Sequence, residues 1–214
     1  NQEQRAAVQH VTQHGQAIRI VQGYAGTGKT TMLRTAVQAW HKAGYNVVGA
    51  CFTGVAADNL QEEIGIPCDT IHMTLADLPD DLFDTARRAV VHTGKQLVRA
   101  ALDKKTYRYQ KPKRPYIDSK SIVLLDEAGM INTRHMLMLM EWVEKNNATL
   151  VLTGDAAQLP AVEGGSPFLS LSKRVGFVEM TEIKRQQDEW ARAAALHMAR
   201  GEIAEALALY DKRN

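Results

Sequence analysis

The sequence has few cysteines, no long apolar run and almost no net charge. Its 214 residues include two cysteines, Cys51 and Cys68, which match no metal-ligand spacing and argue against a disulfide framework. No apolar run reaches the ~18 residues of a membrane-spanning helix, so we expect no membrane insertion. The net charge of +2 is too small to indicate a nucleic-acid partner by itself. Few cysteines and the lack of a recognisable signal peptide favour a cytoplasmic location.

What the sequence does contain is an alternation of short apolar runs and amphipathic helical patterns. Hydrophobic residues make up 45% of the chain, which is ordinary for a globular protein with a core. Runs that are apolar almost throughout are typical of strands covered on both faces, and their alternation with helices predicts a parallel α/β sheet. Ligands of such sheets bind at the carboxyl ends of the strands. The predicted strands are 18–21, 46–51, 121–125, 149–153 and 176–180.

A glycine-rich segment follows the first predicted strand. Gly23–Thr30 has the sequence GYAGTGKT and matches the pattern G-x-x-x-x-G-K-[ST]. Its glycines let the backbone N–H groups point inward, and the helix that follows adds partial positive charge. Lys29 is expected to reach the β- and γ-phosphates of a nucleotide, and Thr30 to hold Mg²⁺. The alternative, a turn with a surface lysine, is disfavoured by the strand before it and the helix after it.

Polar residues also follow two further predicted strands. Asp126 and Glu127 close the strand at 121–125, where Asp126 is suited to binding a metal and Glu127 to polarising water as a general base. Gln158 follows the strand at 149–153 and is placed to sense a γ-phosphate or to orient that water. Taken alone, Asp126 and Glu127 also fit an acidic strand-to-loop connection at the surface, and Gln158 also fits a polar turn. The phosphate-binding loop is what favours the catalytic interpretation.

One stretch breaks the alternation of strands and helices. Residues 94–120 hold nine lysines and arginines, two aspartates, three tyrosines and two prolines, so we expect an inserted basic loop or arm. Its charges suit nucleic-acid phosphates and its tyrosines suit stacking on unpaired bases. A solvated loop explains the same composition equally well.

In this order, the three motifs resemble those of superfamily-one DNA helicases of the RecD-like branch, and most closely the helicase part of TraI/TraA-type conjugative relaxases. Asn1–Gln4 is similar to the adenine-reading element of that family, Thr53–Ala57 to motif Ia, Thr70–His72 to motif Ib and Thr181–Gln186 to motif IV. Motifs Ia and Ib contact single-stranded DNA in the family. The arginine of motif IV, here Arg185, acts on the γ-phosphate.

The resemblance implies a RecA-like P-loop NTPase fold, in which a mainly parallel sheet is flanked by helices, with ATP and Mg²⁺ as ligands. It implies catalytic roles for Lys29, Glu127, Gln158 and Arg185, metal binding by Thr30 and Asp126, ATP contacts at Gln4, Gly23, Ala25, Gly26, Thr27, Gly28, Lys29, Thr30 and Thr31, and DNA contacts at Thr53, Gly54, Thr70 and His72.

Motifs V and VI, which belong to the second lobe of these motors, have no counterpart in the sequence. We therefore expect a fragment in which residues 1–186 form the first RecA-like lobe, with 94–120 as its basic arm. Residues 187–214 are expected to form a helical segment leading towards a second lobe that this chain lacks. Because no histidine cluster matches the metal site of a relaxase, relaxase chemistry is not expected here.

The leading hypothesis is the ATP-binding first motor lobe of an ATP-dependent 5′–3′ DNA helicase. The resemblance implies a conjugative relaxase-helicase that processes single-stranded plasmid DNA, with conjugation-machinery proteins as partners. The alternatives are a non-hydrolysing module that binds single-stranded DNA and a RecD-like repair helicase. A vestigial module is expected to have lost some of the catalytic side chains, and all of them are present: Lys29, Asp126, Glu127, Gln158 and Arg185.

Overall fold

The computed structural model describes residues 1–13, 15–75, 116–155, 166–182, 188–199 and 201–211. Strands and helices alternate through these ranges, and none of the helices there is long and apolar enough to cross a membrane. The elements are α1 (Gln2–Thr12), β1 (Ile18–Gly23), α2 (Lys29–Lys42), β2 (Asn46–Cys51), α3 (Gly54–Ile64), β3 (Cys68–Thr70), α4 (Ile71–Thr74), β4 (Ser121–Leu125), a 3₁₀ turn (Ala128–Met130), α5 (Thr133–Lys145), β5 (Thr149–Gly154), α6 (Pro167–Val175), β6 (Val178–Met180), α7 (Glu189–Ala199) and α8 (Ile203–Asp211).

The six strands form one sheet in the order β3-β2-β4-β5-β1-β6. Every neighbouring pair is parallel; for example, Ile18 of β1 lies opposite Leu150 of β5, and Val47 of β2 lies opposite Ile122 of β4. The predicted parallel α/β sheet is therefore confirmed. Because all strands run the same way, their carboxyl ends meet at one edge, where ligands of such sheets bind.

Helices cover both faces of the sheet, which explains why the strands are apolar on both sides. In β4, Ile122 and Leu124 pack into the cluster under α1, α2 and α3, whereas Val123 and Leu125 pack into the cluster under α5 and α6. Successive side chains of a strand point to opposite faces, so a strand between two helical layers needs an unbroken apolar run. The buried face of α2 ends on Trp40.

The strand predictions differ from the structure mainly at their ends. Strand β1 continues to Gly23 and β5 to Gly154, and β6 begins at Val178. Gly176 instead ends α6 with a φ of 80°, a left-handed conformation that suits glycine. The edge strand β3 was not predicted, because its three residues are not an apolar run.

Two further predicted segments are the helical region at 187–214 and the basic arm at 94–120, and the structure describes them to different extents. Helices α7 and α8 occupy the region expected to be helical. Gly201, with a φ of 77°, lies between them, and the rings of Trp190 and Tyr210 pack edge-on with centroids 5.2 Å apart. The basic arm at 94–120 lies outside the described residues except for its last five positions. The division into 1–186 and 187–214 stays a prediction.

Candidate functional site

The glycine-rich loop connects the carboxyl end of β1 to the first residue of α2. Gly28, immediately before the helix, has φ 86° and ψ 31°, and Gly26 has a φ of 81°. Side chains with a Cβ rarely adopt this left-handed region, so the curl of the loop depends on these two glycines. The curl leaves the first N–H groups of α2 facing the space above the sheet, which is the geometry of an anion site.

The start of the same loop is packed too tightly for any side chain. A Cβ on Gly23 would lie 2.8 Å from the Thr27 hydroxyl oxygen and 3.0 Å from the carbonyl oxygen of Met180. Thr27 is 1% exposed, and its hydroxyl donates a hydrogen bond of 2.9 Å to the carbonyl of Tyr24. The Thr27 side chain therefore stabilises the conformation of the loop from within.

Lys29 places its ammonium group inside the curl of the loop. Its Nζ donates hydrogen bonds to the carbonyl oxygens of Gly23, at 2.5 Å, and Tyr24, at 3.1 Å. Burial lowers the pKa of Lys29, and the nearby carboxylates of Asp126, Asp155 and Glu127 partly oppose that shift. A partly desolvated cation held beside carboxylates is well placed to meet a more highly charged anion.

The acidic pair stands at the carboxyl end of β4, and its first member is held by a neighbouring strand. Asp126 Oδ1 accepts a hydrogen bond of 2.5 Å from the hydroxyl of Thr153 and one of 3.0 Å from the N–H of Glu127. Thr153 lies in β5 and is fully buried. A buried hydroxyl that donates to a carboxylate fixes the direction in which the second oxygen points.

Glu127 adopts a backbone conformation that is rare for its residue type. Its φ of 55° and ψ of 36° turn the chain sharply from β4 into the 3₁₀ turn. Such strain in a non-glycine residue occurs mainly at functional sites. Burial raises the pKa of Glu127, Asp126 adds to the rise, and Lys29 opposes it. A raised pKa suits a carboxylate that takes a proton from water.

These groups line one cleft of about 510 Å³ at the carboxyl edge of the sheet. The cleft unites the predicted Lys29, Thr30, Asp126 and Glu127 and adds Asp155, which is 8% exposed. Asp155 directly follows β5, so its position after a strand is a signal that sequence reasoning could have used. The full lining is Ala25, Gly26, Gly28, Lys29, Thr30, Thr31, Glu63, Asp126, Glu127, Gly154 and Asp155.

The hydroxyl of Thr30 and the carboxylate of Asp126 are the pair that suits a magnesium ion. Both offer hard oxygen donors, which Mg²⁺ prefers, and Mg²⁺ commonly takes one or two protein oxygens with the rest from phosphates and water. Within the described ranges, no group of three or more His, Cys, Asp and Glu residues is arranged to hold a metal by itself. The two protein oxygens of Thr30 and Asp126 fit a metal that takes its other ligands from phosphate and water.

Gln4 lies beside the phosphate loop, on the first turn of α1. Its Nε2 donates a hydrogen bond of 3.3 Å to the carbonyl oxygen of Gly28, and a Cβ on Gly28 would lie 2.5 Å from that nitrogen. Gln4 and Thr31 also line a second cleft of about 500 Å³ between α1 and α2. Gln4, the predicted adenine-reading residue, thus contacts the phosphate loop and lines the neighbouring cleft between α1 and α2.

The residues predicted to contact DNA lie along the β2 and β3 side of the same sheet edge. Thr53 caps α3 by accepting a hydrogen bond of 3.2 Å from the N–H of Ala56, and Thr70 caps α4 by accepting one of 3.3 Å from Met73. Gly54 begins α3 with open space where a Cβ would be. The exposed His72 packs its ring edge-on against His135, with centroids 4.5 Å apart.

Phe52 and His135 lie close to the predicted DNA-contacting residues but were not predicted from the sequence. The Phe52 ring centroid is 6.4 Å from that of His72, so three rings from separate segments cluster near the predicted motifs Ia and Ib. Only tertiary structure brings them together. Gln158 and Arg185, the two remaining predicted catalytic residues, lie outside the described residues.

A parallel sheet with a phosphate loop after β1 and an Asp-Glu pair after β4 defines a RecA-like P-loop NTPase domain. The chain belongs to the family described as an AAA domain, whose model matches residues 1–214. This match and the relatives below confirm the resemblance to RecD-like superfamily-one helicases related to TraI and TraA.

Two curated relatives and one solved structure illustrate the relationship. The chain is 34% identical over 97% of its length to the conjugal transfer protein TraA of Rhizobium radiobacter. It is 27% identical over 93% of its length to the ATP-dependent RecD2 DNA helicase of Deinococcus radiodurans. It covers 16% and 24% of these two proteins, respectively. The crystal structure of the Pif1 helicase from Candida albicans shares the fold, with a TM-score of 0.59 and 20% identity over 93% of this chain and 44% of that one.

Proposed function

We propose that this chain is the ATP-binding first motor lobe of an ATP-dependent 5′–3′ DNA helicase within a conjugative relaxase-helicase. The observation that carries the proposal is the shared cleft, in which the Lys29 ammonium meets the acidic pair Asp126 and Glu127. A cation and a metal-binding acid on opposite sides of one cleft are what phosphoryl transfer to water requires. The direction of translocation rests on the resemblance to superfamily-one RecD-like helicases, and the conjugative setting rests on the similarity to the conjugal transfer protein TraA.

Each cleft residue has a separate task in hydrolysis. The N–H groups of the loop and Lys29 bind the phosphates, while Thr30 and Asp126 would hold Mg²⁺, which when bound would neutralise charge on the phosphate oxygens. Glu127 accepts the proton of the attacking water. Gln158 orients that water, and Arg185 senses the γ-phosphate and couples its loss to movement between lobes. The roles of Gln158 and Arg185 rest on the resemblance alone.

Single-stranded DNA is proposed to cross the lobe over Thr53, Gly54, Thr70 and His72. The ring cluster around His72 supports this path, because bases stack on aromatic rings. Val55 and Met73 add apolar surface beside it, with 72% and 39% of their area exposed. The basic arm at 94–120 supplies further phosphate contacts in this proposal. Conjugation-machinery proteins remain proposed partners of the parent protein.

The decisive experiment replaces Lys29 in the full-length parent protein. Lys29→Ala should abolish DNA-stimulated ATP hydrolysis, because it removes a phosphate-binding cation that stabilises the charge of the transition state. Lys42→Ala is a matched control, since Lys42 lies exposed at the other end of the same helix. Unchanged turnover in Lys29→Ala would refute the assignment. A wild-type parent that binds DNA without hydrolysing ATP would instead favour the non-hydrolysing module.

A second experiment tests the DNA path and the direction of movement. His72→Ala should weaken binding of single-stranded DNA about 5- to 100-fold, the range of one base-stacking contact, and leave ATP affinity unchanged. Unwinding of duplexes with a 5′ or a 3′ single-stranded tail reports the direction. Preference for the 3′ tail would contradict the proposed 5′–3′ polarity. Equal DNA affinity of His72→Ala and the wild type would show that the DNA path does not pass over His72.

A further inference from the structure

A cavity of about 500 Å³ opens at the amino edge of the sheet, at the opposite end of the strands from the nucleotide cleft. The first residues of β1 and β5 line this amino-edge cavity, with Arg19 and Leu150 among them. Trp40 of α2 and Val143 of α5 line it as well. Cavities that bind small molecules have volumes of about 300–1,000 Å³. The amino-edge cavity therefore has the size of a small-molecule site.

Arg19 brings a buried positive charge to this cavity. It is 6% exposed, and its Nη1 donates a hydrogen bond of 2.5 Å to the carbonyl oxygen of Val11. Among the residues that the structure describes, its buried Nε has no hydrogen-bond partner and no carboxylate pairs with the guanidinium. Arginine is almost never buried without an anion beside it, because a desolvated charge is costly. The missing partner of Arg19 is therefore an anion.

The neighbouring titratable groups do not supply that anion. Burial lowers the pKa of Arg19, and Tyr45 partly opposes the shift. Burial also lowers the pKa of His10, and the charge of Arg19 lowers it further, so a second basic group lies nearby. Glu144 lines the cavity but is exposed, and within the described ranges it forms no ion pair with Arg19. One positive charge in the cavity thus remains unbalanced.

Much of the cavity wall is apolar or aromatic. Trp40 and Tyr45 contribute rings, and Ile122 and Leu150 contribute aliphatic side chains. Trp40 is 3% exposed, and its Nε1–H has no acceptor in the part of the chain that the structure describes. Aromatic walls favour flat ring ligands, and a buried N–H is normally paired with an acceptor. The cavity therefore combines apolar surface for a ring with two donor side chains for an acidic group.

We propose that the amino-edge cavity binds a small aromatic monocarboxylate, whose carboxylate pairs with Arg19 and whose ring packs against the apolar and aromatic wall. Val11 engages Nη1 of Arg19, which leaves the edge formed by Nε and Nη2, a fork that matches the two oxygens of a carboxylate. A single unbalanced positive charge, with Glu144 on the same cavity, disfavours dianions and polyphosphates. The site goes beyond the proposed function and does not depend on it.

The first test measures binding of 2-naphthoate to the full-length parent by isothermal titration calorimetry, with Mg²⁺ and saturating ADP present to fill the nucleotide cleft. We expect a dissociation constant of about 1 mM or lower. Two matched probes separate the recognised parts: 2-naphthamide keeps the ring without the charge, and inorganic phosphate carries charge without the ring. Both should bind at least about 10-fold more weakly. No binding of 2-naphthoate, or equal binding of 2-naphthamide, would overturn the proposal.

The second test removes the charge from the cavity. Arg19→Met should weaken binding of 2-naphthoate about 10- to 100-fold, the range for hydrogen bonds to a charged group, and leave 2-naphthamide binding nearly unchanged. Arg34→Met is the matched control, because Arg34 also donates to a backbone carbonyl, that of Glu63, but is exposed and does not line the cavity. Equal affinity of Arg19→Met and the wild type for 2-naphthoate would show that the anion does not bind at Arg19.

Two further variants keep the proposal testable should Arg19→Met fail to fold. Trp40→Phe retains a ring and loses the N–H, and it should weaken 2-naphthoate about 2- to 10-fold. In the wild type, 2,6-naphthalenedicarboxylate should bind more weakly than 2-naphthoate, and Glu144→Gln should narrow that difference. Tighter binding of the dicarboxylate, or full affinity in Trp40→Phe, would refute the assigned site. None of these results bears on ATP hydrolysis, since every change lies at the other edge of the sheet.

Discussion

The hydroxyl of Thr153 should control the metal dependence of this site, although it does not face the nucleotide cleft. It donates a hydrogen bond of 2.5 Å to Asp126 Oδ1 from a fully buried position in β5. Valine has nearly the same shape and no donor. Thr153→Val therefore leaves the packing intact and frees the carboxylate of Asp126 to rotate away from the position where it meets Mg²⁺.

The size of the effect follows from the kind of bond that is lost. A hydrogen bond to a charged group contributes about 1.5–3 kcal/mol, and about 1.4 kcal/mol corresponds to a factor of ten. Partners that orient a metal ligand typically change metal affinity about 10- to 100-fold when removed. We therefore expect the Mg²⁺ concentration that half-saturates ATP hydrolysis to rise about 10-fold in Thr153→Val, with kcat at saturating Mg²⁺ changed much less.

The assay is a Mg²⁺ titration of ATP hydrolysis by the full-length parent at fixed ATP. Thr74→Val is the matched control, because Thr74 is also buried, at 3% exposure, but its hydroxyl donates to the neutral carbonyl of Thr70. The control should leave the titration unchanged. An unchanged Mg²⁺ requirement in Thr153→Val would show that Asp126 does not need this bond, and the argument about its orientation would be wrong.

Three further predictions concern the base, the loop and the arm. Burial raises the pKa of Glu127, which must be ionised to accept a proton, so kcat should fall on acidification at a higher pH than it would with an ordinary glutamate. Glu127→Gln should lose most turnover, and its remaining activity should not show this fall of kcat at acidic pH. Gly23→Ala should cost about 1–3 kcal/mol of stability in thermal denaturation, because its Cβ meets Thr27, while Gly54→Ala has open space and should cost little. Glutamine in place of the lysines and arginines of 94–120 should flatten the salt dependence of DNA binding, and an unchanged slope would mean that the arm is merely solvated.

The parts of the fold and site that local sequence determines were predictable. The run that forms β4 is apolar on both faces because helices cover both, and that pattern is visible in consecutive residues. The phosphate loop was equally predictable, because its glycines and Lys29 act within one short segment. Asp126 and Glu127 could be assigned because a parallel sheet gathers the ends of its strands at one edge.

The rest depends on contacts between segments far apart in the chain. Thr153 lies inside a correctly predicted strand, but its partner Asp126 is 27 positions away, and nothing local marks the hydroxyl as different from any other. Glu3 meets Thr181 across 178 positions. The strained backbone of Glu127 was also unpredictable, since left-handed conformations are expected at glycine, asparagine or aspartate rather than at glutamate.

Strand β5 explains why the loop and the acidic pair can share one cleft. The sheet order places β5 between β1, which carries the loop, and β4, which carries Asp126. Adjacent strands are about 4.8 Å apart, so two spacings open a gap of about 10 Å, wide enough for a metal ion and phosphate oxygens. Gly154, which ends β5 and lines the cleft, has no room for a side chain, because a Cβ there would lie 3.1 Å from the ring of Phe168 and 3.2 Å from the backbone of Gly129. Thr153, just before it, orients Asp126. The site therefore depends on Gly154 and on the hydroxyl of Thr153 in β5, as well as on the phosphate loop and the acidic pair that lie on either side of this strand.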